Sequence, residues 1–146
     1  MSSPVSHAAA FVIALACVAA LPLIARSLRA DAGDRCALDS VAIDARDRVR
    51  LVDASGTNRS FCCVDCAQLW AGEPGRAPRE VFVTDETSGA ELPACAAWFV
   101  RSTVEACAAT RCRIHVFGHE SDARRHAAAF DGLVLEGEAR PLRGAR

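Results

Sequence analysis

The chain has 146 residues, 17 basic and 18 acidic side chains, a formal charge of −1 at pH 7 and only 5% aromatic residues. A near-neutral chain so poor in rings has neither the electrostatic field nor the stacking platform that nucleic-acid binding needs. Its length allows one compact domain behind a hydrophobic leader, and eight cysteines, at 17, 36, 62, 63, 66, 95, 107 and 112, exceed what packing asks of a chain this size.

The leader contains an uncharged apolar run from Ala8 to Ala25, just long enough to cross a bilayer as a helix. Residues 1–32 are therefore expected to be a signal peptide or membrane anchor, with residues 33–146 as the functional domain. Ala30 and Ala32 suit signal-peptidase cleavage, whereas Arg26, Arg29 and Arg35 follow the run with no basic side chain before it, and the positive-inside rule then argues against export. Cys17 reads as a small membrane-buried residue.

Beyond the leader, apolar and polar residues alternate on both sides of Ser55, Gly56, Thr57 and Asn58, which predicts a β-hairpin over about 48–61. Val64, Leu69 and Trp70 follow at helical spacing and are ended by Gly72, Pro74, Gly75 and Pro78, so the first half reads ββα. The second half repeats the theme. A strand is predicted near Val81–Thr84, a turn around Ser88 and Gly89, an apolar stretch near Ala96–Arg101 and a strand at "CRIHVFG". Ser121 is the expected N-cap of a short helix stopped by Gly132, and "LVLEGE" is expected to close as a strand. The fold class is α+β, with two ββα-type halves around a core that includes Val49, Leu51, Phe61, Trp70, Val81, Val83, Trp98, Val116, Phe130 and Val134.

The sequence "SFCCVDC" places Cys62, Cys63 and Cys66 where the hairpin ends and the helix begins. Either the pair four apart or the C-x-x-C pair can converge on one ion. Amide groups at a helix N-terminus lower thiol pKa, which serves a metal ligand and a redox nucleophile alike. A redox C-x-x-C normally follows the first strand of a βαβ unit, and here an antiparallel hairpin precedes it. Metal binding, disulfide or redox use of Cys63 and Cys66, and inert burial all stand as readings, with metal binding favoured. Hairpin closure can return Cys36 beside Cys62 and Cys66 as a third sulfur.

A lone cysteine, a hairpin and then "FCCVDC" resembles the TRASH and YHS type of heavy-metal module. The stretches "RCALDSVAID", "RSFCCVDCAQLW", "VFVTDETSGAELPACAAWFVRS" and "RIHVFGHESDARRHAAAFDGLVLEGE" fall in the order expected of the NosL family of copper-binding accessory proteins of nitrous oxide reductase, over roughly residues 35–138. The resemblance implies an extracytoplasmic, membrane-tethered protein with a NosL and organomercurial-lyase-like α+β fold, carrying Cu(I) on cysteine and methionine to a copper-receiving enzyme or assembly factor. It is not an enzyme on this reading. Cys36 matches the family's first cysteine. Ser40 stands where the family usually has methionine, the second methionine is also missing, and Cys112 is a soft donor near that second position.

The expected metal ligands are thus Cys36, Cys62, Cys63, Cys66 and Cys112, for Cu(I) or alternatively zinc in a structural or sensory module. Cys95 reads as a small core residue, and Cys107 with Cys112 as either a disulfide or ligands. His115 reads as a hydrogen-bonded or exposed strand residue with a possible ligand role near Cys112, His119 and His126 as solvated, Asp65 as negative charge at a helix start, and Arg124 with Arg125 as a solvated face.

Overall fold

The computed structural model describes residues 35–143, so the leader, with Cys17, lies outside the described residues. Among the described residues no helix is long and apolar enough to cross a membrane.

The predicted hairpin forms from β1 (Val49–Val52) and β2 (Asn58–Phe61), in register from Val49 opposite Phe61 to Val52 opposite Asn58. Its turn is closed by Asp53, whose carboxylate accepts the backbone N–H groups of Ser55 and Thr57 while Gly56 takes a positive φ of 84°. The helix α1 (Val64–Ala71) follows directly and buries Val64, Cys66, Ala67 and Trp70. Its spacing gives an apolar stripe, but Leu69 points the other way and is 66% exposed.

The expected second half is divided between two sheets. β3 (Glu80–Thr84) pairs with β1, and β4 (Glu91–Pro93) pairs with β3, giving an antiparallel sheet ordered β2-β1-β3-β4. The apolar stretch after β4 begins as a 3-10 turn at Ala94–Ala96 and continues as β5 (Trp98–Arg101), the middle strand of a second antiparallel sheet. Its neighbours are β6 (Ile114–Phe117) and β7 (Leu133–Val134). The halves are therefore unequal: the hairpin's own edge is the best available partner for β3, because Val81 and Val83 meet Leu51 and Val49 on the buried face.

The helix α2 (Glu120–Ala129) covers the second sheet through Ala123, against Val100 and Phe117. It starts two residues earlier than expected. His119, not Ser121, is its N-cap residue, without a side-chain capping bond, and Asp131 rather than Gly132 takes the left-handed conformation at its end, with φ 48°. Gly132 is instead required by space, since a Cβ there would lie 3.0 Å from the Arg101 carbonyl oxygen and 3.1 Å from Ser102 and Val100 side-chain atoms.

The main core joins both sheets and α1: Leu51, Val49, Val83 and Phe61 from one side meet Phe99, Ile114 and Val116 from the other. Phe130 departs from expectation, being 42% exposed at the end of α2, and Trp98 and Val134 are only half-buried. Arg140 ties the C-terminal segment to the 3-10 turn by donating to the carbonyls of Ala94, Cys95 and Ala97 at 2.6, 2.8 and 2.9 Å.

Leu51 sits on the central β1 strand, fully enclosed between the sheets. Leu51→Ala should therefore destabilise the fold by about 2–5 kcal/mol, the cost of lost apolar burial plus an unfilled cavity, read from the shift in the chemical unfolding midpoint. A change below about 1 kcal/mol would mean that the two sheets do not share this core.

Candidate metal centre

The site is built by two short segments. Cys36 begins a tight turn in which its N–H donates to the Val41 carbonyl at 2.8 Å and its carbonyl accepts the Ser40 N–H at 2.9 Å. Ser40 adopts φ 63°, the left-handed conformation that such a closure demands. Asp39, in this turn, accepts the Val41 N–H at 3.1 Å, which fixes its carboxylate. Ala37 N–H then donates to the Ser60 carbonyl at 2.8 Å and pins the whole turn to the end of β2, beside Cys62.

The result is a cluster of one ligand atom each from Cys36, Asp39, Cys62 and Cys66, all within 4.8 Å of one another. Cys62 and Cys66 face the same side, one turn apart at the entry to α1, with sulfurs 3.6 Å from each other. The nearer Asp39 oxygen lies 3.4 Å from the Cys66 sulfur and 3.8 Å from that of Cys62. The three cysteines are buried and Asp39 is exposed, so the cluster is apolar behind and open in front. An open groove runs past that front, lined by Leu38, Asp39, Cys66, Leu69 and Thr110.

Burial pushes the Cys62 and Cys66 thiols well above the ordinary thiol range. Burial also opposes the charge on Asp39, but hydrogen bonds from the Cys36 thiol, the Val41 N–H and the thiols of Cys66 and Cys62 outweigh it and hold this carboxyl below its usual range. One negative charge thus stands in front of protonated sulfurs. A thiophilic cation arriving there can displace the thiol protons and draw in three thiolates at once.

Cys63 and Cys112, the other two expected ligands, are not among these four donors. Cys63 is the N-cap of α1 and its sulfur accepts the Cys66 N–H at 3.5 Å. The Cys112 thiol hydrogen-bonds to it, which with the Thr110 hydroxyl at 3.3 Å brings the Cys63 thiol down to about 5 against the opposing cost of burial. That same bond, together with burial, drives Cys112 upward. Asp39 is the ligand candidate that the sequence reading missed. Its only sequence signal is its place three residues after Cys36, in a stretch with turn chemistry.

Other expected residues lie elsewhere. Cys95 is exposed on the 3-10 turn rather than in the core. Cys107 and Cys112 face each other across an isolated antiparallel bridge with both thiols free. His119 is exposed, but His126 is half-buried, stacked on His115 at 4.1 Å between ring centroids and hydrogen-bonded to the Ser102 hydroxyl at 3.2 Å. His115 is buried and set apart from the cluster, its Nδ1 3.0 Å from a Glu86 carboxylate oxygen and its Nε2 3.2 Å from the Val104 carbonyl. Asp65 lies in the first turn of α1. Arg124 and Arg125 are exposed and pair with Glu120 and Asp122.

No protein-family profile and no curated protein sequence matches the chain. A solved structure does. The copper chaperone NosL from Shewanella denitrificans matches with a TM-score of 0.65 over 74% of this chain and 90% of that one, at 19% identity. The fold is that of NosL. At this identity the likeness establishes the architecture, namely two antiparallel sheets with two helices, and in this chain the NosL fold carries a cysteine-rich cluster in which a carboxylate stands beside three thiols.

Two acceptors face the ring nitrogens of His115, so the doubly protonated imidazolium fits the site. Burial opposes that charge, but the Glu86 carboxylate outweighs it and raises the His115 pKa above 6.5. The pair's contribution to stability is therefore complete below pH 6.5 and lost as pH rises through the elevated His115 value. The stability gap between the wild type and His115→Gln should narrow as pH rises from 6 to 9, measured as unfolding midpoints at each pH. Asp47, which burial and the Glu86 charge raise to about 6 and which the His115 charge draws down, titrates at the lower edge of this range, so the decisive part of the gap is the one between pH 7 and 9. A gap that widens with pH would show that His115 folds as the neutral ring.

Proposed function

We propose that this chain is a Cu(I) metallochaperone, membrane-tethered or exported, which delivers copper to an extracytoplasmic copper enzyme such as nitrous oxide reductase. The observation that carries the reading is the convergence of Cys36, Cys62 and Cys66 with Asp39 at one opening of the fold. Three sulfurs are soft donors that favour Cu(I) over hard ions, while the carboxylate is a poor donor to it and leaves one side of the ion accessible. A site with three firm ligands and an open face suits capture and release. The fold shared with a copper chaperone supports the same reading. The role is non-enzymatic: the ion is cargo, and binding it exchanges thiol protons for metal without altering a substrate.

A structural zinc site is the competing reading, favoured by the presence of four donors, since tetrahedral zinc accepts three thiolates and one carboxylate. The two differ in what removal of the ion does. The core that joins the sheets is built largely from apolar side chains, Leu51, Phe61, Val83, Phe99 and Val116 among them, whose burial stabilises the fold without an ion as ligand.

The anaerobically purified chain should bind about one Cu(I) with thiolate-to-metal charge-transfer absorption, more tightly as pH rises because the thiols must lose protons. Replacing Cys36, Cys62 and Cys66 together by Ser should abolish binding, while Asp39→Ala should weaken it by roughly tenfold or less. A strong copper chelator should strip the ion and leave the circular dichroism nearly unchanged. Undiminished binding in the triple variant overturns the ligand assignment, and unfolding on chelation transfers the case to structural zinc.

Location is tested separately. Protease added to cells with a permeabilised outer envelope and an intact inner membrane should digest the domain. Protection until the inner membrane is lysed would agree with the arginines that follow the leader and would rule out delivery outside the cytoplasm.

A further inference from the structure

We propose that the groove in front of the cluster is the docking surface for the protein that receives the ion. The recipient enters it with a projecting segment that is apolar at its tip, basic at its flanks and carries a soft donor. This inference rests on the copper reading and adds to it the chemistry of the partner. The groove is an open hollow of about 980 Å³ that reaches Asp39 and Cys66, so a projecting segment can fill it where a flat surface would bridge over it.

Apolar side chains gather on this face without a core to bury them. The buried stripe of α1 is Val64, Cys66, Ala67 and Trp70, and Leu69 stands outside it, 66% exposed on the groove wall. Leu38, next to Asp39 in the Cys36 turn, lines the same groove and is also exposed. Arg101 of β5 forms part of the wall, and Leu133, directly opposite it in β7, lies on the same face of that sheet and is 67% exposed. Among the described residues, three of the five large apolar side chains that face solvent therefore lie on the groove or beside its wall, the others being Val104 and Phe130. Single exposed apolar residues are ordinary, but a group of them around one opening marks a surface that a partner covers.

The charges that line the groove set the sign of the partner. Asp39, Asp65 and Glu73 supply carboxylates and Arg101 the one guanidinium. Glu73 shares its charge with Arg76 at 2.8 Å, whereas Asp39 lies beside the sulfurs and Asp65 precedes Cys66 on α1. An excess of carboxylates draws in a basic surface and holds off an acidic one, and salt weakens the effect.

The chemistry of transfer requires this contact. Cu(I) held by three thiolates passes on by exchange of ligands: a donor of the recipient binds the open side of the ion before the first cysteine sulfur lets go. Each thiolate then released takes up a proton, and copper keeps its oxidation state throughout. The donor must therefore reach the ion across the rim formed by Leu38, Asp39 and Leu69, and side chains flanking that donor meet the groove.

The full chain, loaded anaerobically with Cu(I), would be mixed with either of two synthetic peptides that carry a pair of cysteines between leucines, one flanked by lysines and the other by glutamates. Copper on the peptide is measured after rapid size separation. Each rate is divided by that peptide's uptake from a Cu(I)–dithiothreitol complex, which corrects for the effect of neighbouring charge on its thiols. The lysine peptide should take copper about tenfold faster than the glutamate peptide at low ionic strength, and added salt should shrink the difference. Leu69→Ser should slow transfer to the lysine peptide by about threefold or more while transfer to dithiothreitol, circular dichroism and Cu(I) affinity in competition with a chelator stay unchanged. Asp65→Asn should reduce the advantage of the lysine peptide. Equal corrected rates for the two peptides, no transfer to either, or a Leu69→Ser chain that transfers as fast as the wild type overturns the docking surface and leaves the copper reading standing. A chain that binds no Cu(I) in the chelator competition overturns both.

Discussion

One backbone hydrogen bond decides where the chemistry of this protein occurs. Ala37 N–H donates to the Ser60 carbonyl, and through it the Cys36 turn is laid against the exit of the β1–β2 hairpin. Cys36 is buried in the core and Val41 and Ile43 pack against it, and this bond adds the register that sets Cys36 and Asp39 beside Cys62. With it, a cysteine 26 positions before Cys62 and a carboxylate 23 positions before it arrive at the same point. The entropy of closing such a loop is modest and grows slowly with its length, so one well-made pairing suffices to hold it.

The cluster is poised by opposing effects of burial. Taking Cys62 and Cys66 out of water keeps these two metal-free sulfurs protonated, which costs less than burying two thiolates side by side. The Asp39 carboxylate, at the exposed edge, collects the S–H bonds and supplies a negative charge at the mouth of the site. The same helix terminus treats Cys63 differently, because its sulfur receives hydrogen bonds from Cys66 N–H and Cys112 where Cys62 meets thiols and a carboxylate. Adjacent cysteines thus acquire opposite chemistry from the sides of the chain on which they stand.

A second polar lock holds the sheets together. Glu86, in the turn after β3, donates its N–H to the Val116 carbonyl at 3.0 Å, accepts the Val116 N–H at 3.2 Å through its carboxylate, and carries His115. It thereby fastens the first sheet to β6 of the second. His126 stacks on the far side of His115, and both burial and the His115 charge hold it below its usual value. The sequence reading took His126 as solvated and left His115 as a hydrogen-bonded or exposed strand residue, because Glu86, the partner of His115, lies 29 positions before it and Ser102, the partner of His126, lies 24 positions before that residue.

The sequence by itself determined the hairpin, the helix that follows it and the grouping of Cys62 with Cys66, because alternation, turn chemistry and helical spacing act over a few residues and do not wait for the rest of the chain. It also indicated the NosL architecture through the order of its motifs, and Cys36 as the third sulfur through hairpin closure. Only the tertiary structure decided that β3 and β4 extend the first sheet, that Asp39 joins the three thiols, that Cys63 caps α1 and that Cys95 faces solvent. Each of those outcomes depends on which distant surfaces bury one another. A cysteine's identity is written in the chain, but its neighbour, and with it its charge, is chosen by the packing of the two sheets.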